Sequence, residues 1–275
     1  MIPTIEQTTT FMKRIASEAG KYAVLAITLG VLIPSVARAD QFRCTGPSLA
    51  EAAVNPPSLR AIGTINGTNT DISSCIFTNG KVATLSAFIF GGAGSADVHA
   101  VLNSDPFITF GATTTNLITG TVTYAFLFGT PIVPGLYSAA TSTGGVTVTD
   151  GAAGNTTVAT SAIFPTFISG YGTLGLVPTN LGVNLGTTPC VAAGAPAAVT
   201  NTCSYGTASN TFAPTLYDNL EALLTYTQND LGSVASWSGG VTIGTATRVP
   251  EPSSLTLVAA GTLLTLVQFA RRRRN

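Results

Sequence analysis

From Asp40 to Arg248, short runs of Thr, Val, Ile, Phe and Tyr alternate with clusters of Gly, Asn, Asp and Pro. β-branched and aromatic residues suit a pleated, half-buried surface, and turn formers at short intervals leave little room for a long helix. This pattern predicts an all-β fold: a single antiparallel β-sandwich or jelly-roll-like domain. Expected strands are Ala61 to Ile65, Val82 to Phe90, Phe107 to Phe110, Leu117 to Phe128, Val146 to Thr149, Thr156 to Ile163, Leu174 to Leu176 and Leu220 to Gln228. The last is ambiguous, because Leu216, Leu220, Leu223 and Leu224 also fit one face of a helix capped by Asp218. Thr225-Tyr226-Thr227, the turn-like Asn229-Asp230-Leu231-Gly232 and a second alternating run to Ile243 favour a hairpin. No fixed-period repeat or Pro-rich linker divides these residues, so one domain is expected over 40–248.

Charge narrows the function classes. Only 9% of the 275 residues are charged, far below the roughly 25% of ordinary soluble proteins. The net charge is zero because bases at the two ends balance an interior with nine acids and four bases, Arg43, Arg60, Lys81 and Arg248. Such an interior cannot neutralise a phosphate backbone, and no nucleic-acid partner is expected.

The ends read as addresses. Lys13, Arg14 and Lys21 precede an apolar run from Tyr22 to Ile33, followed by Pro34 and Val36-Ala37-Arg38-Ala39. A basic region, a short apolar core and small residues before the cut make a secretory signal peptide over 1–39, with Ala37, Ala39 and Asp40 forming the signal-peptidase site. A start at Met12 would leave this unchanged. An N-terminal membrane anchor is the alternative, disfavoured because the apolar run is short for a span of about 20 residues. Export places Cys44, Cys75, Cys190 and Cys203 in an oxidising compartment. Of three possible pairings, Cys44–Cys75 and Cys190–Cys203 close the shortest loops and are preferred. No two cysteines have metal-ligand spacing, and the lone His99 is remote in sequence, so no metal or cofactor is expected.

At the other end stand Val249-Pro250-Glu251-Pro252-Ser253-Ser254, an uncharged stretch to Ala270, and Arg271, Arg272, Arg273 and Arg274 before Asn275. Residues 253–270 are just long enough to span a hydrocarbon core of about 30 Å as a helix, and four arginines would hold that end in the cytoplasm. Signal peptide, Pro-Glu-Pro motif, apolar segment and Arg cluster together resemble the PEP-CTERM sorting signal of Gram-negative surface proteins, here over 249–275. The resemblance implies processing near Pro250-Glu251-Pro252 by exosortase, a polytopic membrane enzyme. It also implies transient anchoring in the inner membrane, delivery to the cell surface or extracellular matrix, and association with biofilm and exopolysaccharide. A tail anchor after a proline-rich linker is the alternative.

Residues that could carry chemistry are sparse. His99 must be the base of any Ser-His-Asp triad, and Asp97 lies two residues away on the same side of a strand. No serine occupies a Gly-x-Ser-x-Gly elbow, Ser169 having Phe167 in place of the first glycine. Asp218 and Glu221 are the only close acidic pair after Asp71, a poor basis for glycoside hydrolysis. Asn66 to Asp71 is rich in oxygen donors but lacks the alternating carboxylates of a calcium loop. Gly91-Gly92-Ala93-Gly94 has neither the Lys nor the Ser/Thr of a phosphate loop. Trp237 and Tyr171 could stack on sugars, although core packing explains them equally well. Asn66-Gly67-Thr68 and Asn155-Thr156-Thr157 are glycosylation sequons. These features point to a non-enzymatic surface protein, with a lectin-like carbohydrate binder and then an extracellular hydrolase as alternatives.

Overall fold

The computed structural model describes residues 42–45, 59–152, 154–175, 177–194 and 199–245. The signal peptide with Ala37, Ala39 and Asp40, and the C-terminal signal with Pro250, Glu251, Pro252 and Arg271 to Arg274, lie outside them. Among the described residues the only helical piece is a 3-10 turn at Ser73–Cys75, and fourteen antiparallel strands make up the fold.

Two long strands organise it. β8 (Val122–Thr149) and β13 (Thr200–Gln228) pair over nearly their full lengths, with register shifts between Ser204 and Gly206, Thr211 and Thr215, and Tyr217 and Asn219. Along its other edge, β8 takes β2 (Arg60–Ile65) over residues 124–129 and β14 (Val234–Gly244) over 139–149. The β8–β13 ribbon therefore belongs to two layers. One runs β5 (Val82–Phe90), β6 (Gly94–Asn103), β7 (Phe107–Asn116), β14, then the second half of β8 and the first half of β13. The outer edge of β5 takes β1 (Phe42–Cys44) and β4 (Ile76–Asn79). The other layer runs β3 (Thr68–Asp71), β2, the first half of β8, the second half of β13, β10 (Ile168–Leu174) and β11 (Val177–Asn180). β9 (Asn155–Ala159) extends the end of β13 and carries β12 (Cys190–Ala193).

Period-two burial assembles the core. Ala83, Leu85, Ala87 and Ile89 face inward from β5, and Ala96, Val98, Ala100 and Leu102 from β6. The small residues make room for Tyr124, Phe126 and Phe128 of β8, all fully buried. Phe110 of β7 stacks on Phe128 of β8 at 5.2 Å and joins the layers, while Tyr124 stacks on its cross-strand neighbour Tyr226 at 5.3 Å within one layer. A Cβ at Gly94 would collide with the Tyr124 hydroxyl, which donates to the Thr115 carbonyl at 2.8 Å.

Both disulfides form as the shortest-loop pairing predicts, Cys44–Cys75 and Cys190–Cys203. The strands at Ala61–Ile65 and Val82–Phe90 lie where the sequence places them, but other boundaries shift. Leu117 to Gly120 is a turn before β8, held by Asn116, whose Oδ1 accepts from Ile118 N and whose Nδ2 donates to Gly120 O. The predicted strand over 156–163 ends at Ala159, and Leu174 closes β10 at a turn instead of opening a strand.

Leu220 to Gln228 is strand, as the β-branched reading has it, but the expected hairpin to Ile243 does not form. The second half of β13 and β14 sit in different layers and do not pair; residues 229–233 arch between the layers. Buried polar bonds replace hairpin bonds at this arch. Gln228 Nε2 donates to Ser233 O at 2.8 Å and to its Oγ at 2.9 Å, while Thr114 Oγ1 lies 2.7 Å from the Tyr226 hydroxyl and 2.8 Å from Gln228 Oε1. A buried polar group left unpaired costs about 1–3 kcal/mol, so this network fixes the arch in one arrangement.

Candidate functional site

β6 holds His99 and Asp97 on its outward face, with Ser86 opposite His99 on β5. The Ser86 Oγ lies 3.1 Å from His99 Nδ1, and Asp97 Oδ1 lies 3.2 Å from His99 Nε2. Thr45 Oγ1 extends the chain to Ser86 at 2.7 Å. Sequence reasoning pairs Asp97 with His99 and misses Ser86, because that contact spans two strands. The order Ser-His-Asp is present, but the imidazole is 57% exposed on an open strand face. β6 lies between β5 and β7, so its amides around His99 are drawn into the two ladders and are not aimed at a developing oxyanion.

The acidic pair does not converge. Asp218 accepts from Gly175 N at 3.0 Å at the turn between β10 and β11. Glu221, three residues on along an extended strand, turns inward and is buried, its Oε1 accepting from Arg60 Nη2 at 2.7 Å and from Asn219 Nδ2 at 3.3 Å. Burial pushes the Glu221 carboxyl above its ordinary range, partly opposed by the charge and hydrogen bond of Arg60.

Trp237 and Tyr171 are core residues. Trp237 is 3% exposed and packs against Phe167 at 4.9 Å, Tyr226 at 5.1 Å and Tyr205 at 6.0 Å. Neither ring presents a face for a sugar. Ser169 is buried and lies 3.1 Å from the Thr166 hydroxyl. Asn66-Gly67 forms the β2–β3 hairpin with positive φ at both residues, and Asp71 Oδ1 accepts from Ser73 N. Gly91 and Gly94 exchange backbone hydrogen bonds in the tight β5–β6 turn.

A polar surface that crosses five strands was invisible in the sequence. In strand register, Asp97, Thr113, Ser236, Thr147 and Thr202 stand side by side across β6, β7, β14, β8 and β13. The next row holds His99, Gly111, Ser238, Gly145 and Ser204. Thr113 lies 3.1 Å from Ser236, hydroxyl to hydroxyl, and Thr147 lies 3.1 Å from Thr202. With strands about 4.8 Å apart, the first row extends roughly 19 Å. At its β8–β13 end lies a shallow groove of about 280 Å³ lined by Thr147, Thr202, Ser204, Ser236 and Ser238 together with Gly144, Gly145, Val146 and Cys203. Hydroxyls and glycines in this groove offer donors and acceptors without charge.

Comparison with known proteins places the chain by its end. Residues 248–274 match the PEP-CTERM protein-sorting motif, so the chain carries that signal at its C-terminus, three residues beyond the last described residue. No curated protein matches the chain. Among solved structures, it is similar to a carbohydrate-binding module, TmCBM61 in complex with β-1,4-galactotriose, at 4% identity and a TM-score of 0.23, over 50% of this chain and 71% of that one. It is also similar to the family 11 carbohydrate-binding module of Clostridium thermocellum, at 9% identity and a TM-score of 0.22, over 68% of this chain and 97% of that one.

Proposed function

We propose that the chain is an exported surface protein sorted by exosortase, which delivers a disulfide-braced β-sandwich to the cell surface or extracellular matrix as a non-enzymatic, exopolysaccharide-associated component. The match of residues 248–274 to the sorting motif carries this reading. In it, residues 1–39 are removed on export. Pro250 and Pro252 hold Glu251 in extended backbone for recognition, residues 253–270 pause in the inner membrane, and Arg271 to Arg274 retain the cytoplasmic end. The short distance between Thr245 and the motif brings the cut close to the last strand. Two disulfides supply durability suited to an oxidising exterior.

Intact-mass and terminal-peptide spectrometry on protein recovered from the native cell surface tests the reading. A chain beginning at Asp40 and ending near Pro250 is expected. A surface chain still ending at Asn275 overturns exosortase processing and leaves a tail-anchored envelope protein. Glu251→Ala should leave full-length precursor in the membrane, and normal processing would remove Glu251 as the recognised charge.

Carbohydrate binding is the second reading, favoured by the uncharged hydroxyl groove on β8, β13 and β14. Its test is a glycan array with the paired variant Thr147→Val and Ser236→Ala, since both residues lie on the outer face. Binding lost in the variant supports it, and silence in the parent chain sinks it.

A further inference from the structure

Asp150 and Asp230 have no part in the preceding reading, and they meet inside the protein. Asp150 follows the end of β8, and Asp230 lies in the β13–β14 arch with φ +73°. They are 5% and 6% exposed. Asp150 Oδ1 accepts from Gly151 N, Thr156 N and Thr156 Oγ1, each at 3.0 Å. Asp230 Oδ2 approaches two of these three groups, 3.2 Å from Gly151 N and 3.3 Å from Thr156 Oγ1. Two carboxylates thus converge on one hydroxyl and one amide.

Three observations mark a candidate cation site. Asp150 Oδ2 is buried and has no hydrogen-bond partner. Every basic side chain among the described residues is engaged elsewhere: Arg43 stacks over Phe88, Arg60 pairs with Glu221, Lys81 with Asp105, and His99 with Asp97. Gly151 lets the arch close onto the pair: a Cβ there would collide with Leu231 O and come within 2.7 Å of Ser233 N and 2.9 Å of Asp230 Oδ2. Burying one carboxylate is costly, and burying two side by side compounds the cost unless positive charge joins them.

We propose that Asp150 and Asp230 bind a divalent cation of the calcium class, with Asp150 Oδ2 as one ligand, Asp230 as the other carboxylate and water completing the shell. Hard carboxylate oxygens without sulfur or imidazole select such an ion. The two ligands are 80 residues apart, in the turn into β9 and in the arch between the layers, segments that also meet where Ala152 N donates to Leu231 O at 2.8 Å and Asn229 N to Thr157 O at 3.3 Å. The ion reinforces this junction of the arch with the β8–β9 turn. With only two carboxylates the affinity belongs to the weak range of extracellular modules, with dissociation constants of about 10⁻⁴–10⁻³ M, matched to an exported protein.

The test is calorimetric titration of calcium chloride into the full chain, purified in detergent and stripped with EDTA, with thermal melts in parallel. One saturable site is expected, and calcium at a hundredfold excess over the dissociation constant should raise Tm by about 5–10 °C. Asp150→Asn removes one of two adjoining buried charges. It should weaken calcium binding at least tenfold, yet melt in EDTA no lower than the parent chain. Glu221→Gln, on another strand, should bind calcium as the parent does. Absence of saturable binding by the parent chain overturns the proposal, a result that needs no variant to fold. Undiminished affinity in both Asp150→Asn and Asp230→Asn overturns it as well. Neither outcome bears on exosortase sorting, which is read from the mass of the processed chain.

Discussion

Replacing Trp237 with alanine tests whether the ring serves the core or a ligand. The indole is 3% exposed, wedged among Phe167, Tyr205 and Tyr226 with centroids 4.9 to 6.0 Å away. Removing a buried aromatic of this size costs about 3–5 kcal/mol through lost transfer free energy and the cavity left behind. With a urea m-value of about 2–3 kcal/mol/M for a domain of this size, the midpoint should fall by roughly 1–2 M. Trp237→Phe is a sharper control. Phenylalanine fills most of the same volume between Phe167, Tyr205 and Tyr226, so it keeps most of the packing. Its midpoint should fall by less than half as much. The assay is urea unfolding followed by far-ultraviolet circular dichroism, with disulfides intact. A Trp237→Ala midpoint within about 0.3 M of the parent would refute the core assignment. Loss of glycan binding in that variant with unchanged stability would return Trp237 to the surface.

Three further outcomes follow from the geometry. Cys44–Cys75 spans 31 residues and Cys190–Cys203 only 13; in the chain-entropy account each closure stabilises by about 3–4 kcal/mol, more for the longer loop. Paired serine substitution at 44 and 75 should therefore lower the urea midpoint more than at 190 and 203, and the reverse order would show that loop entropy does not dominate. The raised Glu221 carboxyl pKa, caused first by burial and opposed by Arg60, means that the native state holds its proton to higher pH than the unfolded chain does. This group's contribution therefore falls as pH rises from its ordinary value through its raised native value, and Glu221→Gln should flatten that weakly acidic part of a stability–pH profile. A profile identical to the parent's would refute the assignment. Gly94→Val places a side chain against the Tyr124 hydroxyl and breaks its bond to Thr115 O, so a loss of about 2 kcal/mol or more in urea unfolding is expected. Unchanged stability would mean that the β5–β6 turn yields freely.

The local content of the chain was written in its own residues. β-branched and aromatic runs specify strand because their side chains prefer a pleated surface, and this holds for Val82–Phe90 and for Leu220 to Gln228 despite the leucine spacing of the latter. Asn66-Gly67 specifies its hairpin because both central residues must take positive φ. The C-terminal address is equally local: the sorting motif is contiguous, so Pro250-Glu251-Pro252, the apolar stretch and Arg271 to Arg274 are legible without any fold, and the match at 248–274 agrees.

What crosses between strands was not legible. A strand's sequence records which side chains alternate inward, but not which strand lies beside it, because backbone hydrogen bonds are the same for every partner. Hence the β13–β14 segment read as a hairpin, while the packing of Tyr226 against Thr114 and Trp237 across the layers made it an arch. For the same reason the rows from Asp97 to Thr202, the Ser86–His99 contact and the meeting of Asp150 with Asp230 exist only in the tertiary structure. Each joins residues far apart in sequence whose proximity is set by register and layer packing, whereas propensity, turn chemistry and the sorting motif act within a few neighbouring residues.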